Sequence, residues 1–193
     1  LDAAFSPGEV PACDLAVVAL PVFRSISVLS GIMEKSGEGT VVIDMGSVKA
    51  PIVDTLRGNP GFARFVPCHP MAGSEQSGYG AAREDLFRGA SVIVTPHERN
   101  ASETVSRVSA LWAALGASVD SASPAEHDRM VAATSHLPHL LSSALASAVA
   151  AEGRSALPFS GKGLSDMTRL AGGSPALWTE ITRMNAENIV RVL

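Results

Sequence analysis

The stretch Thr40-Val-Val-Ile-Asp-Met-Gly-Ser-Val-Lys-Ala-Pro51 decides the fold class. Its first part, Thr40-Val-Val-Ile-Asp44, is a short apolar run rich in β-branched side chains. A run of that length suits a strand buried on both faces. It gives way to a polar island, Asp44-Met-Gly-Ser-Val-Lys49, and Pro51 then suits the first turn of a helix over about 51–58, with Gly58 near its end. Strand, polar turn and helix in that order form the repeating unit of a parallel sheet covered by helices.

The same unit recurs on either side. Asp14-Leu-Ala-Val-Val-Ala-Leu20 is an apolar run closed by Pro21, and a helix reads over 22–35 before Ser36-Gly37 ends it. Arg64-Phe-Val-Pro67 and Ser91-Val-Ile-Val-Thr95 read as a third and fourth strand, and Ala117-Ser-Val-Asp120 as a last one. Between these last two, Val105, Val108, Leu111, Trp112 and Leu115 repeat with the helical period. After about residue 122 the strand signal stops. Ser123-Pro124 and Ser174-Pro175 read as helix starts, and 139–151 as a buried helix. The expectation is an α/β domain over 1–122, mostly parallel in its sheet, followed by an all-helical domain over 123–193.

Composition narrows the classes. Hydrophobic residues make up 46% of the 193 and charged residues 18%, enough apolar material for a core and too much for a disordered chain. The net charge is −4 and no basic run occurs, which argues against nucleic acid as a partner. No apolar stretch reaches the roughly 18 residues of a membrane span. No basic-then-apolar leader is visible at the N-terminus. Cys13 and Cys68 are too few for a disulfide framework and read as buried thiols in a reducing cytoplasm. The chain does not begin with Met and stops inside the helical pattern Asn188-Ile-Val-Arg-Val-Leu193, so parts of a longer protein are expected beyond both ends.

Two further islands join the first: His69-Pro-Met-Ala-Gly-Ser-Glu75 and Ser135-His-Leu-Pro-His139. In open α/β sheets ligands bind at the carboxyl ends of strands, where Asp44–Ser47 and Cys68–His69 are expected. Imidazoles, hydroxyls and charges at such points suggest an enzyme site for a polar, anionic small molecule. His69 reads either as a proton acceptor or as a histidine bonded to a loop before Pro70. Ser47 reads as a ligand or as a turn serine after Gly46. Lys49 is expected on the solvated start of the next helix. His97 and His127 read as structural residues only.

In this order the motifs resemble the prephenate dehydrogenase family, which includes the arogenate and cyclohexadienyl dehydrogenases. The resemblance runs from Asp14 to about Val192. It rests on the residue 14–22 strand with Pro21, on Asp44–Lys49, on His69–Glu75 with Ser77-Gly78, and on Leu86-Phe87 before Thr95-Pro96. It continues through His127-Asp128, Ser135–His139, Asp166-Met-Thr-Arg169 and Pro175-Ala-Leu-Trp178. It implies a Rossmann domain, here partial, followed by a helical dimerisation domain. It also implies oxidative decarboxylation of prephenate with hydride transfer to NAD or NADP, in tyrosine biosynthesis, by a cytoplasmic homodimer without a metal. Arogenate or amino-deoxyprephenate as substrate, and a truncated, non-catalytic binding or dimerisation module, stay open as alternatives.

The resemblance also implies roles. His69 corresponds to the catalytic histidine and Ser47 to a serine near substrate and nicotinamide, with Pro21 beside the cofactor. His139 corresponds to a residue contacting the substrate side chain and Arg169 to the arginine that holds its carboxylate. Arg169 reads equally as the partner of Asp166 in a surface salt bridge. Trp178 walls the pocket or packs in the core, Glu75 gates the pocket or is a solvated loop acid, and His136 lines the site or hydrogen-bonds within the helical domain. The chain departs from the family in one respect: no Gly-x-Gly-x-x-Gly occurs, so the chain alone is not expected to cradle a pyrophosphate.

Overall fold

The computed structural model describes Val10, residues 12–73, Gly80 and residues 82–193. Glu75 and Ser77-Gly78 therefore lie outside the described residues. The chain divides into two compact units, one reaching to His127 and the other spanning Asp128–Leu193.

The first unit is a five-stranded sheet in the order β1-β2-β3-β4-β5. Its strands are β1 (Leu15–Val18), β2 (Val41–Asp44), β3 (Phe65–Pro70), β4 (Ser91–Val94) and β5 (Ser118–Ser121). Helix α1 (Val22–Lys35) joins β1 to β2, α2 (Ala50–Leu56) follows β2, and α3 (Ser102–Ala114) joins β4 to β5. β1, β2 and β3 run parallel, so their carboxyl ends share one edge. β4 runs antiparallel to β3 and parallel to β5. The reversal fits the sequence: residues 71–90 carry no helical period to serve as a parallel crossover.

The strand period of two sorts the side chains. Ile43, Val66, Cys68, Val92 and Val94 face α3, where Val108 and Trp112 complete a buried cluster. On α1, Leu29 and Met33 are buried with Ile52, Val53 and Leu56 of α2 and with Phe62 and Phe65. Arg64 closes the C-terminal end of α1. Its guanidinium donates to the carbonyls of Met33 (2.6 Å), Gly37 (2.8 Å) and Thr40 (3.2 Å) and to Ser36 Oγ (2.8 Å). Those carbonyls belong to a helix end and the turn after it, which lack intrahelical donors.

β3 runs further than the sequence suggests. The expected strand stopped at Pro67, with His69 beyond it. Instead β4 pairs with the extension, Cys68 against Val94 and His69 against Ile93, and the Met71 N–H donates to the Ser91 carbonyl at 2.7 Å. His69 is held in a strand rather than in a loop.

The second unit is helical. Helix α4 (Pro124–Val131) leads into it, and a π-helical turn (Ala132–His136) runs straight into α5 (Leu137–Ala151). The 3₁₀ segment Arg154–Phe159, α6 (Lys162–Thr168), the 3₁₀ turn Arg169–Gly172, α7 (Pro175–Met184) and α8 (Ala186–Val192) complete it. α5 is less enclosed than the buried helix expected: His139 and Ser142 are buried, while Leu141 is exposed. Among the described residues no helix is long and apolar enough to cross a membrane.

Candidate active site

In the first unit, chemistry gathers where β2 and β3 end. Asp44 closes β2, Ser47 sits half-buried in the bend that follows, and His69 is the penultimate residue of β3. His69 is buried, and its Nδ1 lies 2.8 Å from Nε2 of His127, itself buried, with the rings nearly edge to face. That bond needs one N–H and one lone pair, so it couples the tautomers of the two imidazoles. When His69 Nδ1 donates to His127 Nε2, His69 Nε2 is left as the unprotonated nitrogen, the form a proton acceptor requires. Sequence reasoning gave His127 only a structural role. The two residues stand 58 apart in the chain, and no spacing signal links them.

Lys49 also departs from expectation. It is fully buried, not solvated. Its ammonium donates to Asp44 Oδ2 at 2.5 Å and to the Cys68 carbonyl at 2.8 Å. The carboxylate of Asp44 in turn accepts the N–H of Gly46 (3.0 Å) and of Cys68 (3.2 Å). A lysine in the last residues before a helix is ordinarily exposed. Here an acid five residues earlier and a backbone carbonyl on the next strand compensate its burial. The Cys68 thiol beside this pair is pushed up to about 12 by its burial. It stays protonated and is no nucleophile at neutral pH.

Pro21 is exposed and precedes α1, whose start has no side-chain cap. The amides of that first turn therefore make an electropositive helix start beside the carboxyl end of β1. His97 is structural, as expected. It stacks on Phe62 with centroids 3.7 Å apart, and its Nε2 meets the Phe65 carbonyl at 2.9 Å.

In the second unit, His139 lies flat against Trp178, with centroids 3.5 Å apart and planes 10° from parallel. Burial pushes the pKa of His139 down. Gly173 backs this stack: a Cβ there would stand 2.6 Å from Trp178 Nε1 and 3.0 Å from His139 Cε1. Ser174 starts α7, its hydroxyl accepting the Leu177 N–H, and so sets Trp178 one turn into the helix. His136 is buried, with Nδ1 3.0 Å from Asn185 Nδ2 and its ring edge-on to Trp178. Asn185 Nδ2 also donates to the Asp128 carbonyl at 2.8 Å. Arg169 is exposed at the start of its 3₁₀ turn. That turn is tied to α5 by the Ala171 N–H, which donates to Ser142 Oγ at 3.1 Å. Asp166 pairs with Lys162 at 2.9 Å, so the salt-bridge alternative for Asp166 has a different partner from the expected Arg169. Among the described residues no cluster of three or more His, Cys, Asp or Glu side chains could hold a metal ion.

Family models match both units. Residues 2–121 match the prephenate dehydrogenase nucleotide-binding domain, and residues 123–193 the prephenate dehydrogenase dimerization domain. The chain belongs to the prephenate dehydrogenase family. Among curated relatives, it is 33% identical over 185 residues to a cyclohexadienyl dehydrogenase of Zymomonas mobilis, covering 93% of this chain and 63% of the relative. It is 33% identical to a prephenate dehydrogenase of Bacillus subtilis, covering 90% of this chain and 48% of that protein. A prephenate dehydrogenase of Aquifex aeolicus, solved with hydroxyphenyl propionate and NAD⁺, superposes with a TM-score of 0.85 at 31% identity, covering 93% of this chain and 63% of that one. The chain thus spans roughly half to two thirds of the length of these family members.

Proposed function

We propose that this chain forms the later part of the nucleotide-binding domain and the helical domain of an NAD(P)-dependent prephenate dehydrogenase. Within it, residues from about 123 onward would supply the substrate-side and dimerisation surfaces. The observation that carries the reading is the His69–His127 pair at the carboxyl edge of the parallel strands, in a member of this family.

The residues present fit one end of a dinucleotide. The uncapped start of α1 at Pro21 and the bend carrying Ser47 lie at the carboxyl edge where such cofactors bind, while the chain holds no glycine-rich phosphate loop. A bound dinucleotide would supply the hydride acceptor for the substrate ring. His69 Nε2 accepts the proton of the ring hydroxyl as that oxygen becomes a carbonyl; the ring carboxylate leaves as CO₂, its electron pair makes the ring aromatic and sends the carbonyl pair back to the oxygen, and His69 returns the proton there to give the phenol. His127 holds His69 in the tautomer that can do this. Ser47 donates a hydrogen bond to the substrate oxygen and lies beside the cofactor.

Arg169 is assigned the substrate's side-chain carboxylate, which a guanidinium fork can hold with two bonds. His139 and Trp178 are assigned the substrate side chain. His139, kept neutral by burial, offers a polar edge, and Trp178 an apolar wall. His136 is assigned to the support of Trp178, whose ring it meets edge to face. A homodimer is supported by the dimerization-domain match and by the exposed Leu141, Leu157, Phe159 and Met167 of the helical unit.

The test is turnover. The complete protein, given prephenate and NAD⁺ or NADP⁺, should produce reduced nicotinamide and 4-hydroxyphenylpyruvate. Reduction with arogenate but not with prephenate would move the substrate assignment, and reduction with neither would defeat the reading.

A further inference from the structure

The pair Asp44 and Lys49 lies wholly inside the first unit, where it cannot meet a substrate, yet it touches both segments that carry the proposed chemistry. We propose that this ion pair is the positioning device of the site: it locks the turn bearing Ser47 to the backbone that bears His69. The proposal rests on the functional reading above.

The geometry is a four-bond staple. β2 and β3 pair with Asp44 in register with Pro67, a residue with no N–H to give. Pro67 turns its carbonyl the other way, to the Thr95 N–H just past β4, so the next group of β3 to face β2 is the Cys68 N–H, which the Asp44 side chain accepts at 3.2 Å. Lys49 then donates to the Cys68 carbonyl at 2.8 Å. That carbonyl belongs to the peptide joining Cys68 to His69, so both faces of the residue before the histidine are held. On the other side, Asp44 accepts the Gly46 N–H at 3.0 Å and Lys49 at 2.5 Å. Ser47 lies between these two anchored positions. Gly46 shows how tightly the turn is drawn: a Cβ there would stand 2.9 Å from Asp44 Oδ2 and 3.5 Å from Lys49 Nζ.

Stability alone is a poor reason for such a pair. Desolvating two charges costs several kcal/mol, and well-packed apolar replacements of buried pairs are often as stable. What apolar side chains cannot supply is directional bonding to one peptide. Displacing a catalytic group by about 1 Å can cost on the order of 100-fold in rate, which is the property the staple protects. Asp44 and Lys49 are therefore positioning residues, acting through Ser47 and His69.

The experiment uses the complete protein and the variants Lys49→Met, Asp44→Asn and Gly46→Ala, each alone and combined with Ser47→Ala. Thermal midpoints and the steady-state constants for prephenate are measured together. The expected result is a fall in kcat of about 10- to 100-fold with KM within about twofold. The share of that fall that acts through Ser47 should vanish in the Ser47→Ala background, because a displaced serine that is already absent cannot be lost again, while the share that acts through His69 remains. Independent, multiplying effects, or a Lys49→Met enzyme within about twofold of wild-type kcat, would overturn the proposal. If Lys49→Met fails to fold, the milder Gly46→Ala carries the same cycle.

Hydrogen exchange separates this proposal from the functional reading. In Gly46→Ala or Asp44→Asn, the Cys68 and position-46 amides should exchange at least about tenfold faster while the Val42 amide keeps its wild-type rate. If wild type does not turn over prephenate, the functional reading fails, and this exchange result still decides whether the staple exists. Unchanged exchange at Cys68 overturns it.

Discussion

The imidazole of His139 and the indole of Trp178 are stacked like two plates, 3.5 Å between centroids, and at Gly173 there is no room beside them for a Cβ. The stack fixes the ring plane of His139, and the glycine leaves no slack behind it. Gly173→Ala should therefore displace both rings. We expect about 1–3 kcal/mol of destabilisation from overpacking, read by denaturant unfolding, together with a changed Trp178 fluorescence. An alanine variant with wild-type stability and an unaltered spectrum would show that the stack can slide.

The His69–His127 bond predicts an order of severity. His69→Asn should lower kcat by about 100- to 10,000-fold, the usual contribution of a general base. His127→Phe should cost less and also shift the pH–rate profile, because His69 loses the partner that fixes its tautomer. Nitrogen-15 spectra of the imidazoles should show His69 protonated on Nδ1 near neutral pH. Protonation on Nε2 instead would remove His69 from the base role.

Acid should weaken the first unit through His97. Burial is the main cause that holds its pKa below the ordinary 6.5. The unfolded chain therefore binds a proton in a range where the folded one does not. Stability is then full above about pH 6.5 and is lost as the pH falls through the unfolded value toward the depressed folded one. Unfolding free energies measured from pH 7.5 to 5 should decline for wild type, and less steeply for His97→Gln, which does not titrate. Equal slopes would mean that His97 carries none of the acid sensitivity.

Thiol reagents should discriminate sharply between the cysteines. Cys13 is partly exposed, whereas Cys68 is buried with its thiol at about 12. Iodoacetamide at pH 8 should modify Cys13 in the folded protein and reach Cys68 only in denaturant, as read by mass spectrometry of the peptides.

Arg64→Ala should destabilise more than a surface arginine would. The side chain satisfies three carbonyls around the end of α1 (those of Met33, Gly37 and Thr40), and their donors would be lost together. We expect a loss of about 2–3 kcal/mol, seen as a lower midpoint in thermal unfolding with turnover retained at low temperature.

Much of this fold was legible because burial on both faces leaves a plain mark. Runs such as Thr40–Asp44 and Ser91–Thr95 could hardly be anything but interior strands, and α1 occupies the span its pattern indicated, Val22–Lys35. The ordered motifs carried the family. What stayed hidden depends on pairing in space. The reversal of β4 turns on a stretch of sequence, residues 71–90, that carries no helical period, a weak signal. His127 reads as one more helical histidine until β3 brings His69 to it. Lys49 misleads for a physical reason: a lone lysine belongs in water, and only the coincidence of Asp44 and the Cys68 carbonyl makes its burial tolerable.

The π-helical turn at Ala132–His136 has a consequence for how this segment can change. A π turn holds one residue more than the α turn it replaces. Deleting a single residue between Ala132 and Thr134 would let the backbone relax to an ordinary α-helix and shorten its path by one step. One α turn then takes the place of one π turn, so Asp128 and His136 keep their facing toward the Asn185 amide that spans them. Chain length here carries one residue of slack, and a relative with one residue fewer in this turn keeps the aim of the residues on either side.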